Sequence, residues 1–194
     1  SSGNTQGVTS DTCTPAGSPY STENLGHACE TAGLTWKAYS EDLPAPGSAV
    51  CTANNSKYAR KHAPWTLFSN LTHDNERPYT DFATDVAQGA LPNLAFVVPN
   101  QCNDQHSCPL TTGDTWLSNN MPAMLQAVGP RGLVVLTYDE DDKSAGNQIL
   151  TVFSGAPVLV NHTSAQHVTH YTILRTLCDV LGVPPFAAAA TETP

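Results

Sequence analysis

Leu133-Val134-Val135-Leu136-Thr137-Tyr138-Asp139-Glu140-Asp141-Asp142 runs four apolar residues without alternation and, after Thr137 and Tyr138, four carboxylates. A short unbroken apolar run reads as a strand buried on both faces, the pattern of a parallel sheet covered by helices. The acids then fall where that strand leaves the sheet. Adjacent carboxylates repel one another and are hard to keep charged beside a dry core. A bound cation removes that conflict, and hard oxygen ligands suit such a cation. The competing reading is a solvated acidic turn. Two other polar clusters that follow strand-like segments tip the balance toward a site.

Leu34 to Tyr39 alternates apolar and polar residues, a strand signal, and runs into Ser40-Glu41-Asp42-Leu43-Pro44. Leu94-Ala95-Phe96-Val97-Val98 is a second buried run, ended by Pro99, and opens into Asn100-Gln101-Cys102-Asn103-Asp104-Gln105-His106-Ser107-Cys108. Between and around these strands, residues 24–32 read as a short helix stopped by Gly33, and residues 81–88 as another. Asp114 suits an N-cap for a helix whose Trp116, Leu117, Met121, Met124, Leu125 and Val128 keep core-facing spacing. Pro122 should kink or restart that helix, and Gly129-Pro130 should end it. Residues 149–153 read as a further strand. Ile173, Leu174, Leu177, Val180 and Leu181 form the stripe of a last helix, closed by Gly182 and Pro184. Residues 1–23, 44–57 and 69–80 carry no periodicity, and the Ala-rich tail over 187–194 reads as loosely held.

Strands alternating with helices indicate an α/β fold with a mostly parallel sheet in one domain over residues 1–194. Ligands of such sheets bind beyond the carboxyl ends of the strands. The three clusters would therefore meet at one rim: Glu41 or Asp42, Asp104 with His106, and Asp139 with Glu140. Asp139 and Glu140 offer hard oxygens to a divalent metal ion; Asp104 and His106 offer a mixed pair acceptable to zinc, manganese or iron. His170, which opens the last helix, could complete a site, with His167 as the neighbouring option. Tyr58-Ala59-Arg60-Lys61-His62-Ala63-Pro64-Trp65 concentrates cations in an acidic chain. Lys61 or His62 could hold a non-bridging phosphoryl oxygen.

Composition narrows the partners. The chain of 194 residues is 40% hydrophobic and 13% charged, enough for a globular core. A net charge of −9 argues against nucleic acid, whose backbone wants a basic face. No apolar run reaches transmembrane length. Six cysteines suggest an oxidising compartment, secreted or periplasmic. Cys102 with Cys108, and Cys13 with Cys51, are plausible bridges, leaving Cys29 and Cys178 over. There is no G-x-S-x-G elbow and no glycine-rich phosphate loop. Asn54-Asn55-Ser56, Asn70-Leu71-Thr72 and Asn161-His162-Thr163 are glycosylation sequons.

Taken in order, Tyr39-Ser40-Glu41-Asp42-Leu43-Pro44, the Tyr58–Trp65 stretch, Pro99-Asn100-Gln101-Cys102-Asn103-Asp104-Gln105-His106, Gly113-Asp114-Thr115-Trp116-Leu117, Tyr138-Asp139-Glu140-Asp141-Asp142 and His170-Tyr171-Thr172-Ile173-Leu174-Arg175-Thr176 resemble the secreted phosphoesterase family of acid phosphatases and phosphatidylcholine-type phospholipases C. That family belongs to the alkaline phosphatase superfamily. The resemblance implies a three-layer α/β/α sandwich and metal-dependent hydrolysis of a small phosphorylated substrate through a covalent phospho-enzyme. It implies metal-binding roles for Asp139 and Glu140, site positions for Asp104, His106 and His170, and substrate contacts for Lys61 and His62. The family opens with a strand leading to a Glu-Asn-His motif, followed by a Ser or Thr nucleophile. Neither is found here, and Ser1-Ser2-Gly3-Asn4-Thr5-Gln6-Gly7 looks like the stretch just after that nucleophile. The resemblance thus implies a member lacking its first strand and nucleophile segment. A phosphomonoesterase is the leading expectation. A metal- or phosphate-binding remnant, a phospholipase C-type phosphodiesterase and a purely structural secreted domain are the alternatives.

Overall fold

The structure is a computed structural model and describes residues 1–193. It shows a mixed α/β chain in two compact units, one made of residues 1–109 and the chain from Gln166 onward, the other of residues 110–165.

The first unit is built on strand β1 (Trp36–Ser40), which pairs in parallel with β4 (Glu76–Pro78) on one side and β5 (Leu94–Val98) on the other. Residues Trp36 and Ala38 are buried in a cluster with Leu25 and Cys29 of helix α1 (Leu25–Thr31) and Leu174 and Cys178 of helix α4 (His170–Leu181). Because side chains alternate along a strand, Lys37 and Tyr39 take the opposite face. There both reach Asp85 of helix α2 (Thr80–Ala87) at 2.6 Å, and Tyr39 meets Phe82 edge-on. The sheet is thus covered on both faces. β1 and β5 match the expected strands closely. The expected alternation of β1 masks a central strand, buried on both sides except at Lys37.

Helix α1 starts where Asn24 accepts from the His27 backbone N–H at 3.1 Å, and Gly33 follows it with φ near 72°. Thr169 and Thr172 form a reciprocal cap at the start of α4, and Gly182 ends that helix in the left-handed region. Strand β4 was not legible. Three residues, one a proline tolerated at a sheet edge, give no period to read. Strand β2 (Thr52–Ala53), inside the expected loop, pairs antiparallel with β3 (Tyr58–Ala59), which opens the basic stretch just after it.

Both chain ends of this unit are docked. The Leu25 N–H donates to Ser1 O at 3.0 Å, Ser2 is buried, and the Ala188 N–H donates to Gly3 O at 3.2 Å. The tail expected to be loose instead packs over residues 187–193. Ala189 is fully buried, and Glu192 accepts from Thr172 Oγ1 at 2.6 Å and from the Arg175 guanidinium at 2.9 Å.

In the second unit, helix α3 (Leu110–Val128) buries Gly113, Trp116 and Met124 and carries Pro122 inside it. It begins four residues before Asp114, so that residue is no cap. Strand β6 (Val134–Thr137) pairs antiparallel with β7 (Thr151–Ser154). This corrects the reading of the Leu133 run as a parallel strand. The run is only half-buried, and apolar length alone does not distinguish the two pairings.

Two of the suggested disulfides are present, Cys13–Cys51 and Cys102–Cys108; Cys29 and Cys178 are buried thiols. Burial pushes the Cys29 thiol up to about 11, with the neighbouring Cys178 acting in the same direction.

Trp36 anchors the central strand: it is 1% exposed, and its indole N–H donates to Glu30 at 2.8 Å. Trp36→Ala should cost about 3–5 kcal/mol in urea unfolding. A loss under ~1 kcal/mol would show that β1 is not the core of this unit.

Candidate active site

Parallel pairing of β1 and β5 brings their carboxyl ends together, and the first two polar clusters meet there as expected. Glu41 accepts from the Asn100 N–H at 2.9 Å and from Asn103 at 2.8 Å. Asp42 accepts from Asn100 at 2.8 Å and Asn54 at 2.5 Å. These acids tie the loop after β5 to the loop after β1. A cleft at the same ends is lined by Ser40, Glu41, Lys57, Tyr58, His62 and Pro99. The Tyr58 hydroxyl is buried without a hydrogen-bond partner among the described residues, and burial pushes its phenol up to about 12.

The loop after β5 is a compact, bridged turn. Asn100 Oδ1 accepts from the Cys102 and Asn103 N–H groups, and Asp104 Oδ1 accepts from the His106 N–H at 2.9 Å. The Cys102–Cys108 bridge closes it. On the facing side, residues 60–62 form a single tight turn directly after β3. Its basic side chains meet the loop: His62 Nδ1 lies 3.1 Å from Asp104 Oδ2, and Lys61 Nζ lies 3.3 Å from His106 Nε2. The two imidazoles are 5.7 Å apart, centre to centre.

These contacts fix protons. An ammonium has no lone pair, so Lys61 donates and His106 Nε2 accepts. That leaves the His106 proton on Nδ1, 3.0 Å from Ser107 Oγ. His62 donates from Nδ1 to Asp104, which turns its Nε2 outward from that pair. Lys61 also donates to Asp11 Oδ2 at 2.8 Å, and this bond holds the Asp11 carboxyl below its usual range.

Of the expected residues, Lys61, His62, Asp104 and His106 are therefore brought together. His170 is the exposed first residue of α4. Asp139 and Glu140 are exposed in the second unit, just past β6. The acidic run divides: Asp141 accepts from the N–H groups of Lys143, Ala145 and Asn147, and Asp142 from that of Ser144. Those backbone bonds hold Asp141 below the ordinary carboxylate range. The turn reading thus accounts for Asp141 and Asp142. Asp11 was missed, being a lone acid in an aperiodic loop; only the Cys13–Cys51 pairing hinted that this loop returns to the site.

Among the described residues, no three His, Cys, Asp or Glu side chains are grouped so as to hold a metal ion. Asp104 is used on His62, and an ammonium stands against His106 Nε2. The cluster as it stands fits an oxyanion rather than a cation.

The sequence model of the Phosphoesterase family matches residues 1–184. The chain is 41% identical over 193 residues to a phosphatidylinositol-3-phosphatase of Mycobacterium tuberculosis, covering 99% of this chain and 63% of that protein. It is 29% identical over 180 residues to a phosphate-repressible acid phosphatase of Penicillium chrysogenum, covering 86% and 44%. An acid phosphatase of Aspergillus fumigatus is 29% identical over 187 residues, covering 86% and 41%. The chain thus spans less than two thirds of the length of these relatives. No solved structure matches it.

The two bridges constrain loops of different length, 6 and 38 residues in separation. Loop-closure entropy then predicts a loss of about 2 kcal/mol for the Cys102→Ser, Cys108→Ser pair and about 4 kcal/mol for the Cys13→Ser, Cys51→Ser pair. Denaturant unfolding of the two double variants would check this; equal losses would contradict it.

Proposed function

The chain belongs to the Phosphoesterase family, and on that premise we propose that it acts as an acid phosphatase-like hydrolase of small phosphomonoesters. One observation carries the reading. Lys61, His62 and His106 converge at the carboxyl ends of β1 and β5 in a chain of net charge −9. Cation-capable groups gathered at one rim of an otherwise acidic chain focus a local field that draws an anion. The M. tuberculosis relative, by its name, acts on a phosphorylated lipid headgroup, and the same phosphoryl chemistry suits this cluster.

In this reading Lys61 Nζ and His62 Nε2 hold non-bridging phosphoryl oxygens and stabilise the charge that develops on them. Asp104 positions His62 by holding its Nδ1. When the substrate takes the Lys61 ammonium, the His106 Nε2 lone pair is released and becomes a general base that takes the proton of the group attacking the phosphorus. His170 is proposed as a second proton carrier at the start of α4. The two disulfides support a secreted or periplasmic setting. Residues 1–194 are read as belonging to one domain of the α/β/α, alkaline phosphatase-like type.

A divalent metal ion is part of the proposal only through Asp139 and Glu140, adjacent exposed carboxylates whose hard oxygens suit such an ion. The chemistry assigned to the cluster uses protein groups alone. A phosphate-binding remnant without turnover is the second reading, resting on the same cluster of Lys61, His62 and His106.

Para-nitrophenyl phosphate hydrolysis at mildly acid pH separates the two. The phosphatase reading expects turnover, and expects Lys61→Met to lower kcat/KM by about 10- to 100-fold, the loss of one charge-assisted contact. No turnover with intact phosphate binding would leave the remnant. Asp139→Asn should lower the divalent metal retained after dialysis, measured by elemental analysis; unchanged metal content would remove Asp139 as a ligand.

A further inference from the structure

Lys61 is already engaged by an anion of the chain itself. Asp11 Oδ2 sits 2.8 Å from Lys61 Nζ, and the Asp11 side chain is 80% exposed while that of Lys61 is 25% exposed. The carboxylate therefore approaches the cluster from the solvent side, the side from which a substrate must come. Lys61 is its one hydrogen-bond partner among the described residues, and the charges of His62 and His106 act on it in the same direction as that of Lys61. The Lys61 ammonium thus already holds one loop carboxylate, at the seat assigned above to a phosphoryl oxygen.

The loop that carries Asp11 is fastened just beyond it. The Arg60 guanidinium donates to Cys13 O, to Thr14 Oγ1 at 3.0 Å and to Ala49 O at 2.8 Å. The Cys13–Cys51 bridge closes the same stretch. Arg60 is the residue before Lys61, so loop and cation are pinned within one turn of each other. A short tether of this kind gives the carboxylate a high effective concentration at the cluster while leaving the side chain itself in water.

We propose that Asp11 is a built-in placeholder that occupies the phosphoryl seat of the unliganded protein and must be displaced by the incoming anion. The proposal rests on reading the Lys61, His62 and His106 cluster as an oxyanion site. It gives the chain a threshold: a monoanion weakly held by one ammonium competes poorly with a tethered carboxylate, whereas a terminal phosphate above its second pKa of about 6, and so doubly charged, competes well. The placeholder thus favours phosphomonoesters over phosphodiesters, and it keeps Lys61 and His106 from being left as uncompensated neighbours when the site is empty.

The alternative role for Asp11, aiming Lys61 at the substrate, makes the opposite forecast. Binding of inorganic phosphate to the full chain and to Asp11→Asn, followed by titration calorimetry at low salt, distinguishes them. A placeholder predicts tighter phosphate binding by Asp11→Asn, about two- to fivefold for so exposed a pair. The gain should shrink as salt screens the pair in the parent protein. If the parent binds phosphate and Asp11→Asn binds it equally or more weakly, the placeholder is overturned while the anion site stands. If neither binds phosphate, the anion site falls and the placeholder with it.

Discussion

Everything at the candidate site depends on the parallel pairing of β1 with β5. Five consecutive residue pairs, from Trp36 with Leu94 to Ser40 with Val98, fix the register. With that register set, both strands must leave the sheet at the same rim, one residue before Glu41 and Pro99. The polar loops that follow have no choice but to meet. Their meeting is sealed by hydrogen bonds from Asn100 and Asn103 to Glu41 and Asp42, so acids that look like ligands in the sequence serve first as loop clamps. A slip of one residue in that register would turn Trp36 and Ala38 out of the core and dismantle the rim with it.

That dependence explains what could be read in the sequence. The β1 and β5 runs, the caps of α1 and α4 and the stripe of α3 are local patterns, each legible over a few residues. The rim follows from them, because parallel strands separated by helical crossovers open on one side. Long-range pairing left no such mark. Strand β4 has three residues and a proline. The Leu133 run has the composition of a buried parallel strand, yet β6 takes β7 as an antiparallel partner, and composition alone does not choose between those partners. The docked tail was equally silent, since five small residues carry no signal until Ala189 is seen buried against its unit.

Charge supplies the link from fold to chemistry. The chain carries 17 acids against 8 lysines and arginines, so a basic turn is an exception that needs a counterpart. Arg60 is spent on carbonyls of the 13–14 and 49 segments, a structural use. Lys61 and His62 face the loop after β5 instead. There Asp104 and His106 set their orientation, and the Cys102–Cys108 bridge keeps that loop from spreading. Preorganised donors of this kind are worth more than the same groups free in water, because they need no rearrangement when a charge arrives. Asp11 fits the same logic as the anion of the resting state.

Under the proposed function, the turn at residues 60–62 and the loop at residues 100–108 together form an oxyanion site. The chain has seven histidines, which makes their imidazole resonances a map of where an anion lands. Titrating inorganic phosphate into nitrogen-labelled protein should produce saturable shifts at His62 and His106 and none at His27 or His73. Shifts at neither His62 nor His106, or shifts spread evenly across all seven, would contradict the account.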